Sequence, residues 1–204
     1  MLEVGAGVGA TTAALCDGSQ RRWVCLEPDL DMAARLERAV ARGELPACCR
    51  VATGTLADLP PTARFDAVVY VDVLEHIAAD RDELARAGGH LRAGGALVVL
   101  APAHPWLYSP FDAAIGHHRR YTRRALARIA PPGLEPLVLR YLDSVGLLAS
   151  AGNRLLLRRA MPSERDIAVW DGWMVPLSRR LDPLLRFAVG KSVLGVWRLP
   201  GTPG

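Results

Sequence analysis

The run Leu2-Glu3-Val4-Gly5-Ala6-Gly7-Val8-Gly9-Ala10-Thr11-Thr12 constrains this chain most. Leu2 and Val4 are apolar strand residues. Three glycines at alternate positions then end the strand, and a helix is expected from about Thr11. Glycine lacks a Cβ, so such a turn reaches torsions closed to other residues and lets a ligand approach the main chain. Free N–H groups at the start of the next helix favour a polar or anionic group there. A glycine turn that holds nothing is the plain alternative, because a G-x-G-x-x-G-like pattern alone is a weak signal.

The pattern gains weight from the next apolar run, Trp23-Val24-Cys25-Leu26, which ends at Glu27. A carboxylate about 20 residues beyond a glycine turn, at the end of the next parallel strand, is placed to accept hydrogen bonds from ribose hydroxyls. Pro28-Asp29 follow, so Glu27 is alternatively a charge before a helix start. The turn itself fits two cofactors. Gly5-x-Gly7-x-x-Ala10 suits a dinucleotide, whereas Glu3-x-Gly5-x-Gly7-x-Gly9 places an acid two residues before the first glycine.

The chain has 204 residues, half of them hydrophobic, which suffices for one domain with a substantial core. No apolar run reaches the ~20 residues that span a bilayer. The first strand starts at once, with no signal peptide before it, and a cytoplasmic location is expected. Cys16, Cys25, Cys48 and Cys49 form no C-x-x-C pair and no His/Cys set with zinc spacing, so no metal is expected and Cys48-Cys49 read as packing residues. The net charge of +4 is carried almost wholly by arginine, with Lys191 the only lysine. It permits an anionic partner without requiring one.

Strands and helices alternate along the chain. Helical spacing marks residues 31–42, and short strands are expected at 49–52 and, most strongly, at 65–71. Asp80 reads as an N-cap with Glu83 completing a capping box, for a helix over 81–91 that Gly94-Gly95 terminates. A strand at 96–101, a loop at 102–116 and a helix over 119–129 follow. A sixth strand is expected at 134–143, helices at 145–159 and 177–187, and a last strand at 192–199 running antiparallel. The alternation predicts an α/β domain around a parallel sheet.

Phe65-Asp66-x-Val68-Val69-x-Val71-Asp72-Val73-Leu74-Glu75-His76-Ile77 ends the strongest strand, at the sheet edge where open α/β folds bind ligands. This run resembles the fourth motif of small-molecule class I S-adenosylmethionine-dependent methyltransferases. Glu3 to Gly9 resembles their first motif, Gly54-Thr55-Leu56-Ala57-Asp58-Leu59-Pro60 their third, and Leu91 to Gly95 their L-x-P-G-G turn. The matches come in the family's order and cover about residues 2–130. The resemblance implies a Rossmann-like three-layer sandwich: a seven-stranded, mostly parallel sheet with an antiparallel last strand. It also implies S-adenosyl-L-methionine as cofactor, with S-adenosyl-L-homocysteine as product. By position, Gly5, Ala6, Gly7, Gly9 and Thr11 would meet the methionine part and ribose. Glu3 would orient the amino end. Glu27 and Pro28 would take the ribose, and Gly54, Thr55 and Leu56 would flank adenine. Val71, Asp72, Val73 and His76 would line the methionyl wall. The chain departs from the family in three places. Thr55 replaces a customary aspartate, Gly89 and His90 replace a more usual Arg-Val pair, and the helices that precede the first strand in the family are missing, which opens the alternative of a truncated or non-catalytic domain.

Methyl transfer needs an in-line acceptor in a water-poor site and, for a hydroxyl, a base. His104 and His76 are the catalytic candidates. His104, Tyr108, His117, Arg119, Arg120 and Tyr121 are the substrate-side candidates, the arginines as an anion site on a helix start. Residues 102–118 are taken as a substrate loop and 144–190 as a helical cap, with 145–160 suited to a lipophilic acceptor or a membrane surface. The acceptor is read as a small molecule, anionic or lipophilic, methylated on oxygen, nitrogen or carbon. A homodimer stays open. A nucleic-acid target is disfavoured because Val71-Asp72-Val73-Leu74 replaces the Asp/Asn-Pro-Pro-aromatic turn of amino-methylating enzymes. An NAD(P) oxidoreductase is the remaining rival, and it leaves the Phe65–Ile77 run without a role.

Overall fold

The computed structural model describes residues 1–152 and 170–201. Strands β1 (Leu2–Val4), β2 (Trp23–Glu27), β3 (Cys49–Thr53), β4 (Phe65–Val71), β5 (Leu91–Pro102), β6 (Glu135–Leu142) and β7 (Ser192–Arg198) form one sheet in the order β3-β2-β1-β4-β5-β7-β6. All neighbours pair parallel except β7, which runs antiparallel to both β5 and β6. The expected sheet and its antiparallel last strand are therefore present.

Burial explains the order. Every residue of β1 and β2 is buried, as is the Val68-Val69-Tyr70 centre of β4. Strands that are apolar on both faces have to be covered on both faces, which places them mid-sheet under helices. Helices α1 (Ala10–Leu15), α2 (Leu30–Ala41), α3 (Asp80–Gly89), α4 (Pro110–Ala114), α5 (Arg123–Ile129), α6 (Ser144–Gly152) and α7 (Val175–Leu184) follow the strands. Asp29 caps α2 by accepting from the Asp31 and Met32 N–H groups, both at 2.9 Å.

Three local expectations are corrected. The helix α3 begins at Asp80 itself, with Ala79 as N-cap and no side-chain cap bond. Asp80 and Glu83 turn inward instead: Tyr121 Oη donates to Asp80 Oδ2 at 2.8 Å and Tyr70 Oη to Glu83 Oε1 at 3.0 Å. Gly94-Gly95 do not end a helix. They lie inside β5, which starts at Leu91, and a register shift between Phe65 and Ala67 absorbs them. Residues 119–122 precede α5 outside the helix, with Tyr121 in a bridge to Ala103 and Thr122 Oγ1 capping that helix through the Ala125 N–H.

Between β6 and β7 the described residues hold α6, a π-helical turn at Trp170–Met174 and α7. Asp143 Oδ1 caps α6 by accepting from the Gly146 N–H at 2.9 Å, and buried Asp182 of α7 accepts from the Asp143 and Ser144 N–H groups at 2.8 and 3.0 Å. Ser178 Oγ adds a bond to Asp143 Oδ1 at 2.7 Å. The second half of the expected 145–160 lid falls outside the described residues. Among the described residues no helix is long and apolar enough to cross a membrane.

Candidate active site

Sheet register builds the site. Val4 pairs with Leu26 on one side and Tyr70 on the other. The glycine turn, Glu27 and the Val71-Asp72-Val73 stretch therefore leave the sheet side by side. They do so between β1 and β4, where the strand order reverses, which is where open α/β sheets form their ligand crevice. The Gly5 and Ala6 N–H groups donate to the Leu26 carbonyl at 2.8 and 3.2 Å. Glu27 joins the turn through its side chain: Oε2 accepts from the Gly7 N–H at 2.7 Å and Oε1 from the Asp29 N–H at 3.0 Å.

Two glycines are demanded for different reasons. Gly5 has φ +68°, and a Cβ there would lie 2.6 Å from Val73 Cγ2, so the fourth-motif loop packs directly on the first-motif turn. Gly7 has φ +58°, but a Cβ there would meet nothing within 4 Å. The space over Gly7 is open cleft, bordered by the Glu27 carboxylate, and it fits a ribose-bearing cofactor laid against the main chain. Asp72, exposed in the same cleft, takes φ +53°, a strained torsion for a non-glycine residue.

Other candidates sit as follows. Glu3 is buried beneath the turn, where its Oε2 accepts from Thr12 Oγ1 at 2.6 Å and Trp23 Nε1 at 2.7 Å. It is engaged from inside the fold, tying α1 and β2 to β1 rather than reaching an amino end, and burial raises its carboxyl. Thr11 lies in the first turn of α1, next to buried Gly9, and Pro28 is exposed just past β2. Gly54 follows β3, and its N–H donates to the Glu27 carbonyl at 3.0 Å. Thr55 is exposed and donates from both N–H and Oγ1 to Asp58 Oδ2 at 2.8 Å. Leu56, expected beside adenine, is packed in the core.

The substrate-side arginines do not form an anion site. Arg119 pairs with buried Asp80 at 2.7 Å and donates to the Ala78 carbonyl at 2.8 Å. Arg120 pairs through Nε and Nη2 with fully buried Asp112 at 2.8 and 3.1 Å. Tyr121 is buried and spent on Asp80. Tyr108 Oη donates to the His117 carbonyl at 2.7 Å. His104, at φ +63°, stacks on Tyr141 with ring centroids 4.7 Å apart, and its Nε2 lies 3.0 Å from the Gly190 carbonyl, so one nitrogen is committed to the scaffold. Desolvation lowers the pKa of both His104 and His76.

A different cluster has open valence. Glu75 follows β4 in a 3-10 turn, Leu74–His76, and is fully buried. Neither of its carboxylate oxygens has a hydrogen-bond partner, and burial pushes its carboxyl up to about 8. His117 Nε2 stands 3.7 Å from Glu75 Oε1, while its Nδ1 lies 2.9 Å from Asp112 Oδ1. His76 packs edge-on against His117, centroids 4.6 Å apart. Asp112 anchors this group. Burial would raise its carboxyl, but Arg120, Ser109 and His117 together hold it below the usual carboxylate range. Its role was missed in the sequence, although Ser109-Pro110-Phe111-Asp112 is a legible capping-box pattern that the structure fulfils. Glu75 was visible only as an acid inside an apolar run.

The family model described as "Methyltransferase domain" matches residues 2–97, the span from β1 into β5. Over that span the chain is similar to methyltransferase domains. Solved structures extend the likeness of this domain to the whole chain. Geranyl diphosphate C-methyltransferase from Streptomyces coelicolor A3(2), solved with Mg2+, geranyl diphosphate and S-adenosyl-L-homocysteine, is 15% identical. It aligns over 97% of this chain and 71% of its own, with a TM-score of 0.66. The N-methyltransferase NodS from Bradyrhizobium japonicum WM9, solved with S-adenosyl-L-homocysteine, is 15% identical over 98% of this chain and 76% of its own, at 0.60. The 4+2 cyclase SpnF is 16% identical over 98% of this chain and 75% of its own, at 0.65. At such identities the likeness is one of fold, and a cyclase shares it, so the reaction is argued from the methyltransferase site. The sequence matches no curated protein.

Proposed function

We propose that the protein transfers a methyl group from S-adenosylmethionine to a small-molecule acceptor at the crevice between β1 and β4. One observation carries the reading: the fourth-motif residue Val73 closes on Gly5 while Glu27 closes on Gly7, so that two motifs distant in sequence frame one open space. An NAD(P) oxidoreductase needs the second contact and gives the first no role. The methyltransferase family model over residues 2–97 points the same way.

In this reading Gly5, Ala6, Gly7, Gly9 and Thr11 receive the methionine part and ribose along the main chain. Glu27, beside exposed Pro28, accepts from the ribose hydroxyls. Gly54, Thr55 and the Leu56 backbone border adenine. Val71, Asp72, Val73 and His76 form the methionyl wall, and Glu3 holds the turn from below. Bound S-adenosylmethionine supplies an electrophilic methyl on its sulfonium. The chain's own task is to align the acceptor and exclude water. The segment 102–118, which leaves β5 next to β4, and helices α6 and α7 are the acceptor side. His104 is the group there that holds or moves a proton.

The test is release of S-adenosylhomocysteine from S-adenosylmethionine across a panel of phenol, amine and activated-carbon acceptors. Acceptor-dependent release from wild type, lost in Gly7→Ala, supports the reading. Release of equal size from both proteins contradicts it.

A further inference from the structure

We propose that Glu75, His76 and His117 form a divalent-cation site, of the kind that takes Zn2+ or Co2+, at the acceptor side of the crevice. Three observations point to it. The ligand atoms of these three side chains all lie within 4.8 Å of one another. Glu75 is fully buried with both carboxylate oxygens unpartnered, an arrangement too costly to keep without a cation or a proton. And His117 is oriented from behind by Asp112, which binds its Nδ1 at 2.9 Å and leaves Nε2 turned towards Glu75. A carboxylate behind a histidine is the usual outer support of a metal-binding imidazole, fixing its tautomer and ring plane.

The spacing separates this reading from a simple hydrogen bond. His117 Nε2 and Glu75 Oε1 are 3.7 Å apart. That is beyond hydrogen-bond range. Two ligands each about 2.1 Å from a tetrahedral zinc stand about 3.4 Å apart, close to the observed separation. The exposed His76 ring, packed edge-on against His117, lies on the open side of the same point. Two imidazoles and one carboxylate suit zinc and its neighbours rather than calcium or magnesium, and they leave a coordination position for an acceptor oxygen. The nearest cationic competitor, Arg120, is neutralised by its twofold pair with Asp112.

Cation binding itself does not depend on the methyl-transfer reading, but its role does: a cation there would draw an acceptor hydroxyl to the crevice and ease loss of its proton. The test uses the full chain after chelator treatment. Co2+ is titrated by its visible spectrum and Zn2+ by calorimetry, with S-adenosylhomocysteine binding measured on the same samples. One Co2+ per chain is expected, displaced by Zn2+. Glu75→Gln and His117→Ala should each bind Co2+ at least tenfold more weakly while still binding S-adenosylhomocysteine. Glu75→Gln is isosteric and leaves a neutral polar group where the protonated carboxyl stood, so it is expected to fold. Asp112→Asn should weaken Co2+ by roughly 10–100-fold. Cys48→Ala, in the separate group of Cys16, Cys48 and Cys49, should leave uptake unchanged. Wild type that takes up no Co2+ while binding S-adenosylhomocysteine overturns the cation site and spares the cofactor reading. Uptake unchanged in both Glu75→Gln and His117→Ala also overturns it. Co2+ uptake with no S-adenosylhomocysteine binding upholds the site and overturns the function proposed above.

Discussion

The two ends of the sheet each gather three potential ligand groups, and they differ in what those groups lack. At the amino end, Cys16 Sγ lies 3.4 Å from Cys48 Sγ and 3.8 Å from Cys49 Sγ, with Gln20 Oε1 3.3 Å away. These thiols satisfy one another, and burial pushes the Cys49 thiol well above its ordinary range, so it stays protonated and unreactive. At the carboxyl end, Glu75, His76 and His117 are as close together, yet the Glu75 oxygens have no partner. Proximity is common to both clusters. Unmet hydrogen-bonding capacity beside a cleft, on a scaffold that orients one ligand from behind, is found at one of them. Among non-glycine residues the backbone shares the asymmetry: Asp72 and His104, both at positive φ, follow the carboxyl ends of β4 and β5.

The comparison can be broken by substitution, beginning with the largest effect. Asp112→Asn leaves Arg120 buried without its carboxylate and faces His117 and Arg120 with a neutral amide. It should cost about 3 kcal/mol in denaturant unfolding. Gly5→Ala forces a left-handed torsion and drives a methyl into Val73, which should cost about 2 kcal/mol and at least tenfold in S-adenosylhomocysteine affinity. Gly7→Ala faces open space, so it should lose affinity with a smaller stability cost of about 1 kcal/mol. An equal stability loss at both positions would show that the space over Gly7 is not open.

Glu75 sharpens the contrast through pH. Its folded pKa of about 8 stands above its ordinary value of 4.5. The unfolded chain releases that proton first, so metal-stripped protein should lose stability as pH rises from about 5 to 8. Glu75→Gln should flatten that part of the melting-temperature profile. Cys48→Ala should change unfolding by less than about 0.5 kcal/mol and should leave cofactor affinity alone. A larger effect on cofactor affinity would mean the two ends are coupled.

Most of the sheet was legible because its strands announce themselves through burial: Leu2 to Val4 and Trp23 to Glu27 are apolar enough to be central, and Glu27 ends its strand beside the turn. The antiparallel β7 followed from the lack of an ordinary crossover. The acceptor side was less legible, because its partners are chosen by tertiary contact. Asp80 and Glu83 had the spacing of a capping box, but buried Tyr121 and Tyr70 needed acceptors, and a buried hydroxyl outweighs an exposed helix end. Arg119 and Arg120 looked like an exposed basic stripe because helical spacing was assumed from residue 119. The helix starts only at Arg123, and each of the two arginines turns to a buried acid from another element. Glu75 and Asp112 are 37 positions apart, and no local pattern couples them through His117.

The most direct test of the account is calorimetric titration of the full chain with S-adenosylhomocysteine, with NADH as the control. The account predicts micromolar binding of S-adenosylhomocysteine, weakened at least tenfold by Gly5→Ala, and no heat from NADH. Binding of NADH alone, or S-adenosylhomocysteine affinity untouched by Gly5→Ala, would contradict it.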